Sequence, residues 1–396
     1  MNTEKIPPIL RRTWAEIDLD AAAYNFTSLR KMAAGKLVSA VIKADAYGHG
    51  AVRLARLYSE LGADFFAVSN LDEALELRRS GITLPILVLG YVHPESAPLA
   101  AEYDVTLTVY SLEYARALSE ALSERGKSVK IHLKFDTGMG RLGFLPELSG
   151  DGGIKDCIAA TRLSGLLTDG AFTHFAVADG GADGESREYT KEQARRFAFA
   201  ISELRSAGVT PRIKHVSNSA AVLDYPELAV DMVRLGISLY GLHPSAEVQN
   251  PFVPRPVMTL KSVISHVKTV KAGTSISYGR TFKAPADMRV GTVPVGYADG
   301  FLRASSTEGV RLTVGGRSVP ILGRVCMDQL MIDLSDTDAK LLDEVTVFGK
   351  DACESADTYA EKCGTIGYEC VCAVGRRVPR VYLRNGSIES VAHYLE

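Results

Sequence analysis

Leu37-Val38-Ser39-Ala40-Val41-Ile42-Lys43 is the stretch on which the reading of the fold turns. It is a short apolar run bounded by polar sequence, the pattern of a buried strand, and it ends on a lysine. Gly48 and Gly50 follow, where the chain must turn before the next helical pattern. A lysine closing a buried strand is costly unless its charge is paired or lost. Partial desolvation lowers the pKa of the amine and makes it a usable nucleophile, which is how Schiff-base lysines arise. The competing reading is a strand-end lysine that carries its amine out to water while its stem stays buried. The stretch alone leaves both open.

Outward from Lys43, the same unit repeats. Apolar or β-branched runs at 65–68, 86–88, 107–109, 129–135, 213–217 and 232–235, with a less regular one at 163–172, read as strands. Between them lie helical patterns at 52–61, 71–80, after Pro94, at 112–124 and at 187–206. Ahead of them, residues 16–19 alternate, and Asp20 is placed to cap a helix running to about Met32. Counted from Leu37, eight strands alternate with helices, which implies parallel pairing. Eight such units in about 250 residues match an α/β (β/α)8 TIM-like barrel, assigned here to residues 12–245. A doubly wound open sheet is the competing architecture, but no GxGxxG opens a helix.

After a proline-rich linker beginning at His243 the texture changes. Period-2 runs at 259–270, 289–295, 311–314, 318–322, 331–334, 344–348 and 377–383 dominate, with one helix at 355–362. Residues 246–396 therefore read as a mostly-β C-terminal domain, a barrel or a sandwich. The 396 residues are 46% hydrophobic and 23% charged, an ordinary globular composition. The net charge of −2 gives no reason to expect a nucleic-acid or membrane partner. Residues 1–12 lack a signal-peptide core, and six cysteines without a CxxC fit reduced thiols, so the expectation is a cytoplasmic protein. The histidines show no metal-ligand spacing; His49, His93, His132, His243, His266 and His393 read as structural or surface residues.

In a (β/α)8 barrel the active site lies at the C-terminal ends of the strands. There the sequence places Lys43 and Tyr47, Lys134 and Asp136, Arg141, His174, His215 through Asn218 and Ser219, and Arg234 through Gly236 and Ile237. The loops after strands seven and eight are the usual phosphate site, and Ser219 with Gly236 could form one; an N-cap and a turn glycine are the alternative. A reactive lysine after strand one, combined with a phosphate socket after strands seven and eight, suggests pyridoxal 5′-phosphate. Arg234 could then reach the cofactor's pyridine nitrogen. A guanidinium stays protonated and cannot give that nitrogen a proton, which favours simple removal and return of a proton at Cα. An arginine paired with an acid such as Asp231 is the other reading.

With these residues in place, the sequence resembles a bacterial alanine racemase, a fold-type III pyridoxal-phosphate enzyme, from Glu16 to Leu383. The resemblance is carried by residues 41–50, 136–143, 215–220 and 232–237, and in the β domain by 277–279, 296–300, 323–329, 367–369 and 377–380. It implies a homodimer whose sites join the barrel of one subunit to the β domain of the other, acting on alanine and supplying D-alanine for peptidoglycan. It implies that Lys43 holds the cofactor and is the base toward D-alanine, and that Tyr278 of the partner subunit is the base toward L-alanine. A phenol is a poor base at neutral pH unless cations favour its phenolate, and His174 with Arg234 behind it would supply that bias. By the same resemblance Tyr47, Ser219, Gly236, Ile237 and Tyr368 hold the phosphate, with Asn218 beside them. Arg141 and the backbone of Met327 bind the substrate carboxylate, and Tyr297 and Tyr368 narrow the mouth. Lys134 matches a lysine carbamylated in some members; pairing with Asp136 is its alternative. Two departures stand out: Asp45 where some members carry asparagine, and Gly367 where others have a larger residue. A serine or broad-specificity racemase, a decarboxylase on a similar plan and a non-catalytic cofactor carrier are the competing functions.

Overall fold

The computed structural model describes residues 12–148, 152–181 and 184–395. The segment read as lacking a signal-peptide core lies, except for Arg12, outside the described residues.

The first half is a closed parallel barrel of eight strands, β2–β9, and strand β1 (Thr13–Asp18) precedes it. The barrel strands are β2 (Leu37–Val41), β3 (Phe65–Val68), β4 (Ile86–Val88), β5 (Val105–Val109), β6 (Val129–Lys134), β7 (Leu166–Phe172), β8 (Ile213–His215) and β9 (Met232–Leu235). β3, β4 and β5 are buried throughout, as strands covered on both faces must be. β9 closes onto β2 with Ser39 opposite Arg234, and Lys134, Phe172 and His215 lie side by side across β6, β7 and β8. These registers bring the polar strand ends to one rim. Helices between the strands start where side chains satisfy the first free N–H groups: Asn70 accepts from Glu73, Ser111 from Tyr114. The first helix, Leu19–Met32, is capped by Asp18 rather than by the expected Asp20, because β1 runs up to Asp18 and the helix begins at once.

The turn after Lys43 departs from a simple glycine bend. Ala44, Asp45, Ala46 and Tyr47 all have φ of 52–53°, a left-handed turn built from four residues that each carry a Cβ. Such backbone costs about 1–2 kcal/mol per residue. Local bonds offset it: Glu73 accepts from Ala44 N at 2.6 Å, Asp45 accepts from Ala51 N at 2.8 Å, and Arg380 Nε donates to Gly48 O at 2.9 Å. Gly48 is needed for closeness, since a Cβ there would sit 2.3 Å from Val371 O.

The second half comprises β10 (Met258–Val263), β11 (His266–Val270), β12 (Ser275–Ile276), β13 (Phe282–Lys283), β14 (Met288–Val293), β15 (Arg311–Val314), β16 (Arg317–Pro320), β17 (Leu330–Asp333), β18 (Glu344–Phe348), β19 (Arg380–Arg384) and β20 (Ser387–Ala392). They form a seven-stranded sheet ordered β16-β15-β18-β10-β1-β19-β20, a three-stranded sheet β11-β14-β17, and the β12–β13 pair. β1 thus belongs to this sheet, although the sequence reading set it at the head of the barrel segment. It runs antiparallel to β10 and parallel to β19, and its Trp14 packs with Val263, Val381 and Leu383. The run at 259–270 is two strands in two sheets, broken where Ile264 N turns to Asp343 O and Ser265 N to Thr292 O. A helix at Gly367–Ala373 and the strand β20 were not read from the sequence.

Candidate active site

A cavity of about 420 Å³ opens at the C-terminal rim of the barrel. Its walls include Lys43, Tyr47, Lys134, Arg141, His174, Asn218, Ser219, Arg234, Gly236, Ile237 and Tyr368. That volume suits a small organic ligand. The Lys43 amine makes no hydrogen bond or ion pair among the described residues; burial, then the charge of Arg141, lowers its pKa from the ordinary lysine value. It is therefore a better nucleophile than a surface lysine. Glu73, which sequence reasoning missed, bonds Ala44 N and Ser69 N and so anchors the backbone just behind it. An acid in the first turn of a helix is too common to have signalled that role.

On the same cavity wall, past the end of the neighbouring β9, Ser219 Oγ accepts from Gly236 N at 2.8 Å. A Cβ on Gly236 would lie 3.2 Å from the Tyr47 hydroxyl, so the glycine keeps backbone and hydroxyls open to a ligand. Burial raises the pKa of Tyr47 and of Tyr368, whose rings lie 6.2 Å apart. Both phenols stay neutral and can donate. Asn218 is the N-cap here, its side chain accepting from Ala221 N at 3.0 Å. Hydroxyls and a glycine backbone without a side chain, sharing one cavity with an unpaired lysine, suit a phosphorylated aldehyde.

Arg234 is buried at the end of β9. Its Nη1 donates to His215 Nδ1 at 2.9 Å; its Nη2 bonds Thr173 O and Val216 O at 2.9 Å and His174 Nδ1 at 3.2 Å. Asp231 is not its partner, because that carboxylate pairs with Lys214 at 2.7 Å. Burial, then Arg141, pulls the pKa of Arg234 down to about 9. His174 is pushed well below the usual histidine range by burial and then by Arg234, so it is neutral.

Lys134 is almost fully buried, and its Nζ donates to Phe135 O at 2.6 Å rather than pairing with Asp136. Asp136 instead accepts from Gly138 N and Gly140 N at 3.0 Å, which shapes the loop that carries Arg141 into the cavity. Burial, then Arg234, brings Lys134 down to about 7.

Three of the sequence candidates lie elsewhere. Tyr278, Tyr297 and Met327 stand on the surface of the β domain, 69%, 43% and 53% exposed, and none lines the cavity. Tyr278 is thrust outward by a turn in which Ser277, Gly279 and Arg280 all have positive φ. The Tyr297 turn is braced by buried Asp299, which pairs with Arg12 at 2.8 Å and Arg377 at 3.0 Å. The Met327 carbonyl accepts from Ala298 N, while its own N–H makes no hydrogen bond among the described residues.

Residues 17–244 match the family described as alanine racemase, N-terminal domain, and residues 257–382 match alanine racemase, C-terminal domain. The chain belongs to the alanine racemase family. The alanine racemase of Desulforamulus reducens is 44% identical over 373 residues, spanning 93% of this chain and 98% of that protein. Among solved structures, alanine racemase from Clostridium difficile 630 is similar with a TM-score of 0.91 at 41% identity, covering 97% of this chain and 99% of that one. The alanine racemase from Bacillus anthracis with bound L-Ala-P gives 0.90 at 39%, covering 98% and 99%.

Within this alanine racemase family chain, the two departures in sequence have local explanations. Asp45 caps Ala51 N, which an asparagine oxygen could equally do. Gly367 is enforced by its surroundings, since a Cβ would strike Asp357 Oδ1 at 2.2 Å and Leu242 at 2.4 Å.

Proposed function

We propose that the protein is a cytoplasmic, pyridoxal-phosphate-dependent alanine racemase, a homodimer with shared sites that supplies D-alanine for peptidoglycan. The observation that carries this reading is the convergence of an unpaired, desolvated Lys43 with Ser219, Gly236 and Arg234 on one cavity, in a chain of the alanine racemase family. Lys43 would hold the cofactor covalently, Tyr47, Ser219, Gly236, Ile237 and Tyr368 its phosphate, with Asn218 fixing the backbone beside them. Bound there, pyridoxal phosphate draws electrons from the amino nitrogen of alanine and so acidifies its Cα–H.

The chain's own residues then bind, orient and move protons. Arg141 and the N–H of Met327 of the partner subunit take the substrate carboxylate. Freed when the amino group of alanine takes its place on the cofactor, the Lys43 amine would remove or return the proton on one face of Cα, and Tyr278 of the partner subunit would serve the other face. Neutral His174 accepts from Arg234 on Nδ1, so its proton sits on Nε2 and is available to the tyrosine. Arg234 offers an N–H rather than a transferable proton, which suits return of the proton to Cα. Tyr368 and the partner's Tyr297 would restrict the pocket to a methyl-sized side chain. Lys134 is poised for carbamylation: near pH 7 a large fraction is neutral amine, which can add CO₂ and release a proton, leaving an anion able to orient Arg141.

The test is to incubate the purified protein with L-alanine in deuterated water. Deuterium at Cα of both enantiomers supports the reading; protein that binds pyridoxal phosphate but exchanges no Cα proton refutes it. Racemisation of L-serine as fast as L-alanine would refute the assigned specificity.

A further inference from the structure

Arg234 is a buried cation with no carboxylate partner among the described residues, ringed by His215, His174 and two carbonyls. A bare buried charge is costly, and its compensation lies further down the barrel. His215 Nε2 is 2.8 Å from His132 Nδ1, and His132 Nε2 is 3.8 Å from Asp169 Oδ2, an electrostatic pairing rather than a formed hydrogen bond. Asp169 is held in turn by Arg212 at 2.8 and 2.9 Å. Sequence reading set His132 aside; the structure buries it completely.

One end of this chain fixes the whole of it. Arginine only donates. His215 Nδ1 must therefore accept, which leaves its proton on Nε2, pointing at His132 Nδ1. His132 then carries its proton on Nε2, pointing at the carboxylate. Burial pulls both rings below the usual histidine range, so both are neutral. Both ring N–H groups are thus directed away from Arg234, that of His215 to His132 and that of His132 to the side of the Asp169 carboxylate.

The backbone is shaped for this contact. Ile131 pairs with Thr168 but His132 pairs with Gly170, so β7 holds one extra residue, Asp169. Bulges are rare between parallel strands and re-aim a side chain. A Cβ on Gly170 would lie 2.5 Å from the His132 ring. Phe172 stacks on His215 at 4.7 Å and 5°.

We propose that Asp169 and His132 are positioning residues that act through His215 to hold the Arg234 guanidinium with its Nε–H turned to the cavity. Nε is the one N–H-bearing atom of Arg234 that makes no hydrogen bond among the described residues. No proton is passed along the chain; it acts by orientation and charge. The effect on rate rests on the racemase reading, whereas the chain itself does not.

The test compares the unsubstituted protein with Asp169→Asn, which keeps the shape and removes the charge. In cofactor-free protein, imidazole nitrogen-15 spectra should show His132 and His215 protonated on Nε2, and Asp169→Asn should disturb the His132 signal. In the holoenzyme Asp169→Asn should lower kcat about tenfold in both directions and leave KM within about twofold, as expected when orientation rather than binding is lost. Asp169→Glu should recover most of the rate, and Asp169→Asn added to His132→Phe should cost nothing further, because the two act in series. Unchanged spectra, a loss of rate that only tracks loss of folded protein, or additive losses would overturn the proposal. An unsubstituted protein that turns over no alanine would refute the racemase reading instead, and the spectra would still decide the chain.

Discussion

The two halves of the molecule present their polar side chains in opposite ways. At the barrel rim, residues from at least four strand ends and the loops after them face one another across a cavity of about 420 Å³. Parallel registers fix them. On the β domain, Tyr278, Tyr297 and Met327 are exposed, Tyr278 in a turn with positive φ on both sides and Tyr297 beside the Asp299 ion pairs, and none of them lines the cavity. Exposed apolar groups fixed in costly backbone conformations are expected where a second surface completes them. The contrast teaches that cofactor binding should need only one chain, its barrel with its own Tyr368, and turnover the β domain of a second chain as well.

Four substitutions or conditions would break or sharpen that division. Lys43→Ala should remove covalently held cofactor and lower racemisation by at least about 10³-fold; retained turnover would break the account of the barrel. Tyr278→Phe should lower the rate by about 10²-fold or more while cofactor absorbance stays unchanged, since only a proton-transfer group is lost. Lys134→Gln should raise KM for alanine about tenfold if its carbamate orients Arg141, because substrate positioning would loosen, and intact mass at mild pH should show one added CO₂ on the unsubstituted chain. A KM equal to that of the parent would remove Lys134 from the site.

The smallest effect is on stability. In the barrel half, His49, His132 and His215 are buried and His174 is partly buried, and all four are held below the ordinary histidine range, His49 at about 3. Unfolded, each takes up a proton near pH 6.5; folded, it does not. Stability is therefore full above about pH 6.5 and falls as pH drops below it, by up to about 1.4 kcal/mol per pH unit for each histidine. Tm should be lower at pH 5.5 than at pH 6.5; a Tm that rises over that interval on acidification would contradict these burial assignments.

The barrel was legible because fully buried parallel strands write themselves as short apolar runs, and because one rule of barrels sends the polar strand ends to a common rim. What escaped the sequence depended on distant partners. Nothing in Ala44 to Tyr47 announces a left-handed turn, which Glu73 and Arg380 hold from other elements. β1 alternates as any strand does, and only its pairing with β10 and β19 reveals its sheet. The helix at Gly367–Ala373 is rich in residues that also suit strands, so local pattern could not identify it. His132 lacked metal spacing and was set aside, yet a bulge in the neighbouring strand gives it a carboxylate. Tyr278 stood out only through resemblance, because an exposed tyrosine beside a glycine has no chemistry of its own.

The most direct test of a shared site is to mix two inactive proteins, Lys43→Ala and Tyr278→Phe, under conditions that exchange subunits. Mixed dimers would hold one doubly damaged site and one intact site, so random exchange should restore about a quarter of the parent activity. Mixed dimers that form but remain inactive would contradict the account, because each chain would then have to supply both groups to its own site.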